Sequence, residues 1–186
     1  MRLPIIEPEQ MTPEQRRVHD DTVAGKRGRM PPPVQAWLHS PKLADRAQRL
    51  GEFVRYETSL PPALNEMAIL ITAKHWNSHY EWYAHRPLAL AAGLDPAIID
   101  AIRTGRDPGL TDAGARAIYD YATTLHRTRD VSQALHDAVV AAFGARGVVE
   151  LVGVCGYYTL ISMTLNAFDV PLPPGETSEL QAPARP

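Results

Sequence analysis

Cysteine is almost missing: Cys155 stands alone among 186 residues. That excludes an intramolecular disulfide and a Cys-x-x-Cys redox centre. The neighbours Leu151, Val152, Val154 and Tyr157 are mostly apolar, which reads as a buried, inert thiol rather than a nucleophile. Charge of one sign is missing too. Nineteen Lys and Arg against 21 Asp and Glu give a net charge of −2, so no nucleic-acid footprint and no polybasic membrane surface is expected. The most basic run, Lys26-Arg27-Gly28-Arg29, is short and reads as a solvated loop. The stretch Met1-Arg2-Leu3-Pro4-Ile5-Ile6-Glu7-Pro8 lacks the apolar core of a signal peptide. There is no Gly-rich phosphate loop between a strand and a helix, and no Gly-x-Ser-x-Gly elbow. Residues 148–165 are apolar enough to resemble a membrane span. They include Glu150, Gly153, Gly156, Thr159, Ser162 and Thr164, and read better as a central helix buried on all sides. The expectation is a soluble, cytoplasmic chain.

What is present is helical punctuation. Thr12-Pro13-Glu14-Gln15 combines an N-cap, a proline at the first helical position and a capping-box Gln, opening a helix to about Gly25. Pro31-Pro32-Pro33 interrupts the chain before one or two short turns over 34–39. Ser40-Pro41 opens the next helix, with Leu43, Ala47, Leu50 and Val54 at helical spacing. Pro61-Pro62 starts another, with Leu64, Met67, Ala68, Leu70 and Ile71 as its apolar residues. Asn77 offers a break, Ser78 an N-cap, and Gly93 a C-terminal stop. Asp95-Pro96, then Thr111 or Asp112, then Ser132 open three more helices, ending before Gly105, near Arg127 and at Gly144. An apolar helix over 147–166 comes last. No stretch alternates convincingly with period two. The expected fold is all-α, with about seven or eight helices in a single domain over residues 1–172 and a Pro-rich flexible tail over 173–186. Glu66 and Glu150 open similar apolar helices, with Ser78 and Ser162 equally far downstream, a faint internal repeat.

Candidate chemistry gathers in one stretch. Ser78, Glu81 and His85 are spaced by three and four, which puts a hydroxyl, a carboxylate and an imidazole on one helix face. Such a set suits acid–base chemistry. Glu66 lies 19 residues before His85. In one straight helix the two would be about 28 Å apart at 1.5 Å per residue. If the chain reverses at Asn77, arms of about 16 and 12 Å bring them level. A site therefore requires that turn. Each residue also has a plainer reading. Ser78-x-x-Glu81 matches a capping box, His85 suits a hydrogen-bonded core position, and Glu66 suits the first turn of a helix. His75 and His79 are four apart, but no Cys or Asp completes a metal site. The other histidines are isolated.

The runs Glu66-Met67-Ala68-Ile69-Leu70, Tyr80-Glu81-Trp82-Tyr83-Ala84-His85 and Ala91-Ala92-Gly93-Leu94 resemble the carboxymuconolactone decarboxylase family, part of the superfamily that includes alkylhydroperoxidase D. Glu150-Leu151-Val152, Tyr157-Tyr158 and Leu165-Asn166-Ala167-Phe168 are similar to its longer bacterial members. The resemblance covers roughly residues 40–172. It implies an all-α fold around a helical hairpin, assembled as a homo-oligomer. The peroxidase branch carries Glu, Cys-x-x-Cys and His. Here Glu66 and His85 match the Glu and the His, while the cysteine positions fall on Ser78 and Glu81. Without those thiols the family's peroxide-reducing cycle is lost. The decarboxylase branch resembles this chain at Trp-Glu-x-x-x-His, with Tyr80 in the place of the tryptophan. In that branch a histidine and a carboxylate handle protons without metal or organic cofactor, so none is implied here.

The resemblance and the residues together imply a cofactor-independent lyase or isomerase acting on a small carboxylated or lactone substrate. His85 is the proton-transfer residue, Glu81 its partner, Glu66 the orienting acid and Ser78 a hydrogen-bonding group. Trp76, Tyr80, Trp82 and Tyr83 are the expected pocket lining. Lys74 and Arg86 are the nearest cations in sequence for a substrate carboxylate. On this reading His85→Gln abolishes turnover and leaves stability nearly unchanged. The alternatives are a non-catalytic small-molecule binder or oligomeric accessory protein, and a residual peroxidase using Cys155.

Overall fold

Among the described residues, five of the eight α-helices begin on a proline, whose fixed φ and missing N–H suit the first helical turn. The computed structural model describes residues 1–181. After a 3₁₀ turn at Pro8–Gln10 come α1 (Pro13–Ala24), α2 (Pro32–Trp37), α3 (Pro41–Tyr56), α4 (Pro62–His75), α5 (His79–Ala91), α6 (Pro96–Thr104), α7 (Ala113–Thr128) and α8 (Gln133–Ala167). No strand forms among the described residues. The capping box at the start of α1 is made: the Thr12 hydroxyl accepts from the Gln15 amide, and the Gln15 side chain accepts from the Thr12 amide at 2.9 Å. Gly144, at φ 70° and ψ 177°, breaks α8 into the two helical runs expected.

The turn that a site requires is present. Asn77 adopts φ 46°, the left-handed conformation that Asn tolerates better than most residues. The Ser78 amide donates to the Ala73 carbonyl at 2.9 Å and the Asn77 amide to the Lys74 carbonyl at 3.1 Å. This is a Schellman closure with Asn in the glycine position. It folds α5 back along α4.

The enclosed helix is α4. Residues 65–73 are all buried, and α5, α6, α7 and α8 pack around them. An apolar helix with no polar face belongs in such a place. This corrects the expectation for α8, which was to be buried on all sides. Val149, Val152, Leu160 and Met163 of α8 are exposed, Val149 by 69 %. At 100° per residue they occupy about 80° of arc, while Leu151, Val154, Tyr158 and Leu165 face the core. By length and composition α8 is also the one helix among the described residues that could cross a membrane. Its inward face is part of the domain core.

The C-terminal segment, as far as it is described, packs against α5. Leu180 is buried, Ser178 contacts His79, and Glu179 accepts from Trp82 Nε1 at 3.0 Å and pairs with Arg86 at 3.1 Å. Residues 182–186 lie outside the described chain. Gly51, in α3, marks a close approach: a Cβ there would collide with the Tyr157 hydroxyl and the Arg27 guanidinium. Alanine normally favours a helix over glycine by about 1 kcal/mol. Gly51→Ala is instead expected to destabilise by about 1–3 kcal/mol through overpacking, read by urea denaturation. A stabilised variant would show that the ring and guanidinium move aside freely.

Candidate active site

Folding α5 against α4 brings three ionisable groups together in the interior. His85 Nδ1–H donates to Glu66 Oε2 at 2.7 Å. On the other edge of the ring, Nε2 lies 3.0 Å from Glu81 Oε1. The exposures are 4 % for His85, 4 % for Glu81 and 8 % for Glu66. The Tyr158 ring stands edge-on to the imidazole, with centroids 5.0 Å apart. Glu66 on α4 thus fixes the ring through Nδ1, which leaves Nε2 and Glu81 as the edge that faces a cavity.

Burial alone would push the His85 pKa down, because an imidazolium loses hydration in the interior. Glu81 and Glu66 outweigh that, through charge and then hydrogen bonding, and hold it up at about 9. The imidazole is therefore a cation between two acids at neutral pH. Burial, and then the same two carboxylates, push the Tyr158 phenol well above its usual range, so it remains a neutral wall.

The capping-box reading of Glu81 does not hold. Ser78 is the N-cap residue of α5, but no side-chain cap hydrogen bond is made there, and the Glu81 carboxylate turns to His85 instead. Ser78 does not join the triad. Its hydroxyl is buried and has no hydrogen-bond partner among the described residues, and the Ser162 hydroxyl is in the same state.

Beside Glu81 and His85 is a cavity of about 40 Å³, walled by Tyr80, Tyr157, Tyr158, Ile161 and the start of α2 at Pro31–Val34, with Arg27, Arg29 and Arg55. A second cavity, of about 220 Å³, meets Glu66 and shares Arg55; Tyr56, Asn65, Leu88 and Ala92 also line it. Of the four aromatics expected to line a pocket, only Tyr80 faces the cavity with His85. Trp76 Nε1 donates to Thr159 at 3.1 Å, and Trp82 and Tyr83 face the C-terminal segment. Lys74 and Arg86 line neither cavity. The cations that do are Arg27, Arg29 and Arg55. Two of them belong to the basic run read from sequence as a solvated loop. Their distance in sequence from His85 hid them, and no local pattern marks them. Tyr157 and Tyr158 had a signal, as a pair matching the family resemblance.

The remaining polar candidates lie elsewhere. His75 stacks on His126 at 4.9 Å, His126 contacts Thr72 at 2.8 Å, and His79 contacts Asn77 at 3.2 Å. Among the described residues no group of three or more His, Cys, Asp or Glu side chains is arranged to hold a metal ion. Cys155 is 1 % exposed, and burial pushes its thiol up to about 12, far from a reactive thiolate at neutral pH. Native protein is expected to resist thiol titration by a disulfide reagent and to release one equivalent in denaturant. Rapid labelling of the folded chain would revive a role for this sulfur.

No family model and no curated protein matches the chain. Solved structures do. An uncharacterized peroxidase-related protein from Silicibacter sp. TM1040 is similar with a TM-score of 0.73 and 17 % identity, over 91 % of this chain and 88 % of that one. A cysteine-to-alanine variant of the debrominase Bmp8, in complex with 2,3,4-tribromopyrrole, matches with a TM-score of 0.67 and 13 % identity over 91 % of both chains. Apo Bmp8 matches at 0.63 and 13 %, over 91 % and 85 %. At such identities the shared property is the fold. The chain has the all-α, alkylhydroperoxidase D-like fold, with a buried Glu–His–Glu triad and no cysteine pair in it.

Proposed function

We propose that this protein is a cofactor-independent lyase or isomerase that moves a proton on a small carboxylated or lactone substrate. The observation that carries this reading is the triad: His85 held by Glu66 on one edge and paired with Glu81 on the other, at the wall of a cavity. Structural ion pairs also occur in protein interiors. Here the pair faces a cavity rather than close-packed core, which is the arrangement catalysis uses.

In the decarboxylase form of the reaction, the bond between the substrate carboxylate and its neighbouring carbon breaks. Carbon dioxide leaves, and the electron pair passes into an adjoining carbonyl as an enolate. The Glu81–His85 pair then supplies the proton that quenches the carbanion. In the isomerase form the pair first removes a proton and then returns one at another carbon. Glu66 orients the imidazole through Nδ1 in both. Because Glu66 borders the larger cavity, the chain Glu81–His85–Glu66 also offers a route for proton exchange with the far side of the site.

The test is incorporation of solvent deuterium into a panel of small carboxylates and lactones, followed by NMR, with Glu81→Gln as comparison. Exchange that depends on Glu81 supports the reading. Exchange equal in protein and variant, or none across a panel that binds, would leave the binding-protein reading in its place.

A homo-oligomer belongs to the same proposal. The apolar arc of Val149, Val152, Leu160 and Met163 on α8, with Leu50 and Phe53 of α3 also exposed, supports burial against a second copy, since isolated monomers seldom leave such patches in water.

A further inference from the structure

The cavity beside Glu81 and His85 is walled by cations that no acid among the described residues claims. Arg27 and Arg29 come from the segment after α1, and Arg55 from α3. Neighbouring cations are paired: Lys26 with Glu57 at 2.9 Å, Arg86 with Glu179 at 3.1 Å. Arg27, Arg29 and Arg55 form no ion pair among the described residues. The Nε and Nη2 atoms of Arg27 are shut off from solvent without an acceptor. The hydroxyl of Tyr157, a residue 3 % exposed, makes no well-formed hydrogen bond either, and its polar neighbour is the Arg27 guanidinium itself. Gly51 leaves the space in which that hydroxyl and the guanidinium meet.

Buried guanidinium donors call for an acceptor, and the planar fork of arginine matches a carboxylate. The size agrees. One water-sized group needs roughly 10–15 Å³ of such space, so about 40 Å³ holds the three heavy atoms of a carboxylate. If the arginines served only to balance the buried acids, they would be expected to pair with Glu66 or Glu81. Both of those are paired with His85 instead.

We propose that Arg27, Arg55 and the Tyr157 hydroxyl form a cradle for the carboxylate of a small organic acid, with Arg29 at its exposed rim, and that the Glu81–His85 pair acts on the carbon next to it. The second half rests on the proton-transfer reading; the cradle does not. Because Glu81 and His85 line the same cavity as the arginines, the carbon next to a bound carboxylate is placed toward that pair, and the rest of the acid extends out past the rim at Arg29. The simplest step is exchange: the C–H bond breaks, its electron pair passes into an adjoining acyl group as an enolate, the proton goes to the pair, and a solvent-derived proton returns to the same carbon.

Malonate is the probe, titrated calorimetrically into the full chain. Saturable binding is expected, weakened at least tenfold by Arg27→Gln and by Arg55→Gln and unchanged by Arg86→Gln, which lies outside the cavity. Arg27→Lys, which keeps the charge and loses the fork, should fall between and serves if the glutamine variant does not fold. Malonamide, uncharged, should not bind. No saturable malonate binding, equal binding by both glutamine variants, or tighter binding of inorganic phosphate would overturn the cradle. Deuterium uptake into the methylene of monoethyl malonate, whose ester carbonyl can take the electron pair, reads the other half separately. Binding without exchange keeps the cradle and counts against the proton-transfer role, whereas Glu81-dependent exchange of a neutral lactone without malonate binding does the reverse.

Discussion

The stability of the native protein is expected to fall by about 3 kcal/mol as the pH rises from 6.5 through 9, with His85 as the source. Its pKa in the fold, about 9, exceeds its ordinary 6.5, so the folded state favours the protonated ring. The contribution is complete below pH 6.5, where the ring is charged in folded and unfolded chains alike. It is lost as the folded ring gives up its proton near pH 9. The groups that face the ring are Glu66 on α4, Glu81 on α5 and the neutral Tyr158 on α8. Above pH 9 a second fall should follow, because Cys155 and Tyr157, both held up near 12, ionise more readily in the unfolded chain. His85→Gln should remove the first fall and leave the second. At pH 6 it should also cost about 3–5 kcal/mol, because two buried carboxylates lose the cation between them. This replaces the expectation from sequence that the substitution spares stability: the histidine supports the fold through the same contacts that would serve chemistry. Urea denaturation at several pH values measures both effects. A variant that parallels the native slope would mean that the ring is not the charged centre of the triad.

Replacement of Glu81 is expected to have the largest effect on chemistry. Glu81→Gln keeps an acceptor oxygen near Nε2 and removes the charge. General acid–base groups contribute on the order of 10²–10⁴ in rate, so substrate proton exchange should fall by about that factor. The residual pH profile should move as well. The charges of Glu81 and Glu66, and then their hydrogen bonds, raise His85 against the opposing effect of burial. Without Glu81 the ring titrates lower, and the limb of the profile governed by the imidazolium shifts to lower pH. Glu66→Gln should shift it in the same direction. A rate loss with an unmoved profile would separate Glu81 from His85 and remove the pair as the proton-transfer unit.

The local sequence alone determined a good deal. Proline and capping residues placed the helix starts, as at Thr12-Pro13 and Pro61-Pro62, because the first turn of a helix is a local matter of φ and orphan amides. Asn77 marked the reversal between α4 and α5, and the spacing of Glu81 and His85 put them on one face. The reversal then brought Glu66 level with His85, as the arm lengths require. Tertiary packing decided the rest. It chose the α5 carboxylate's partner: Glu81 turns to a buried imidazole rather than to the helix end. It made α4 the enclosed helix and left one side of α8 exposed, a choice between two apolar segments that composition does not distinguish. It carried Arg27 and Arg29 from an ordinary-looking basic loop, and Arg55 from α3, to the cavity wall, and turned Trp82 and Tyr83 toward the C-terminal segment. The physical reason is the range of the forces. Caps and helical periodicity act within a turn or two of chain, so they can be read in order. Which charges share a cavity depends on how whole helices pack, and residues 58 positions apart, such as Arg27 and His85, leave no trace of that meeting in their neighbours.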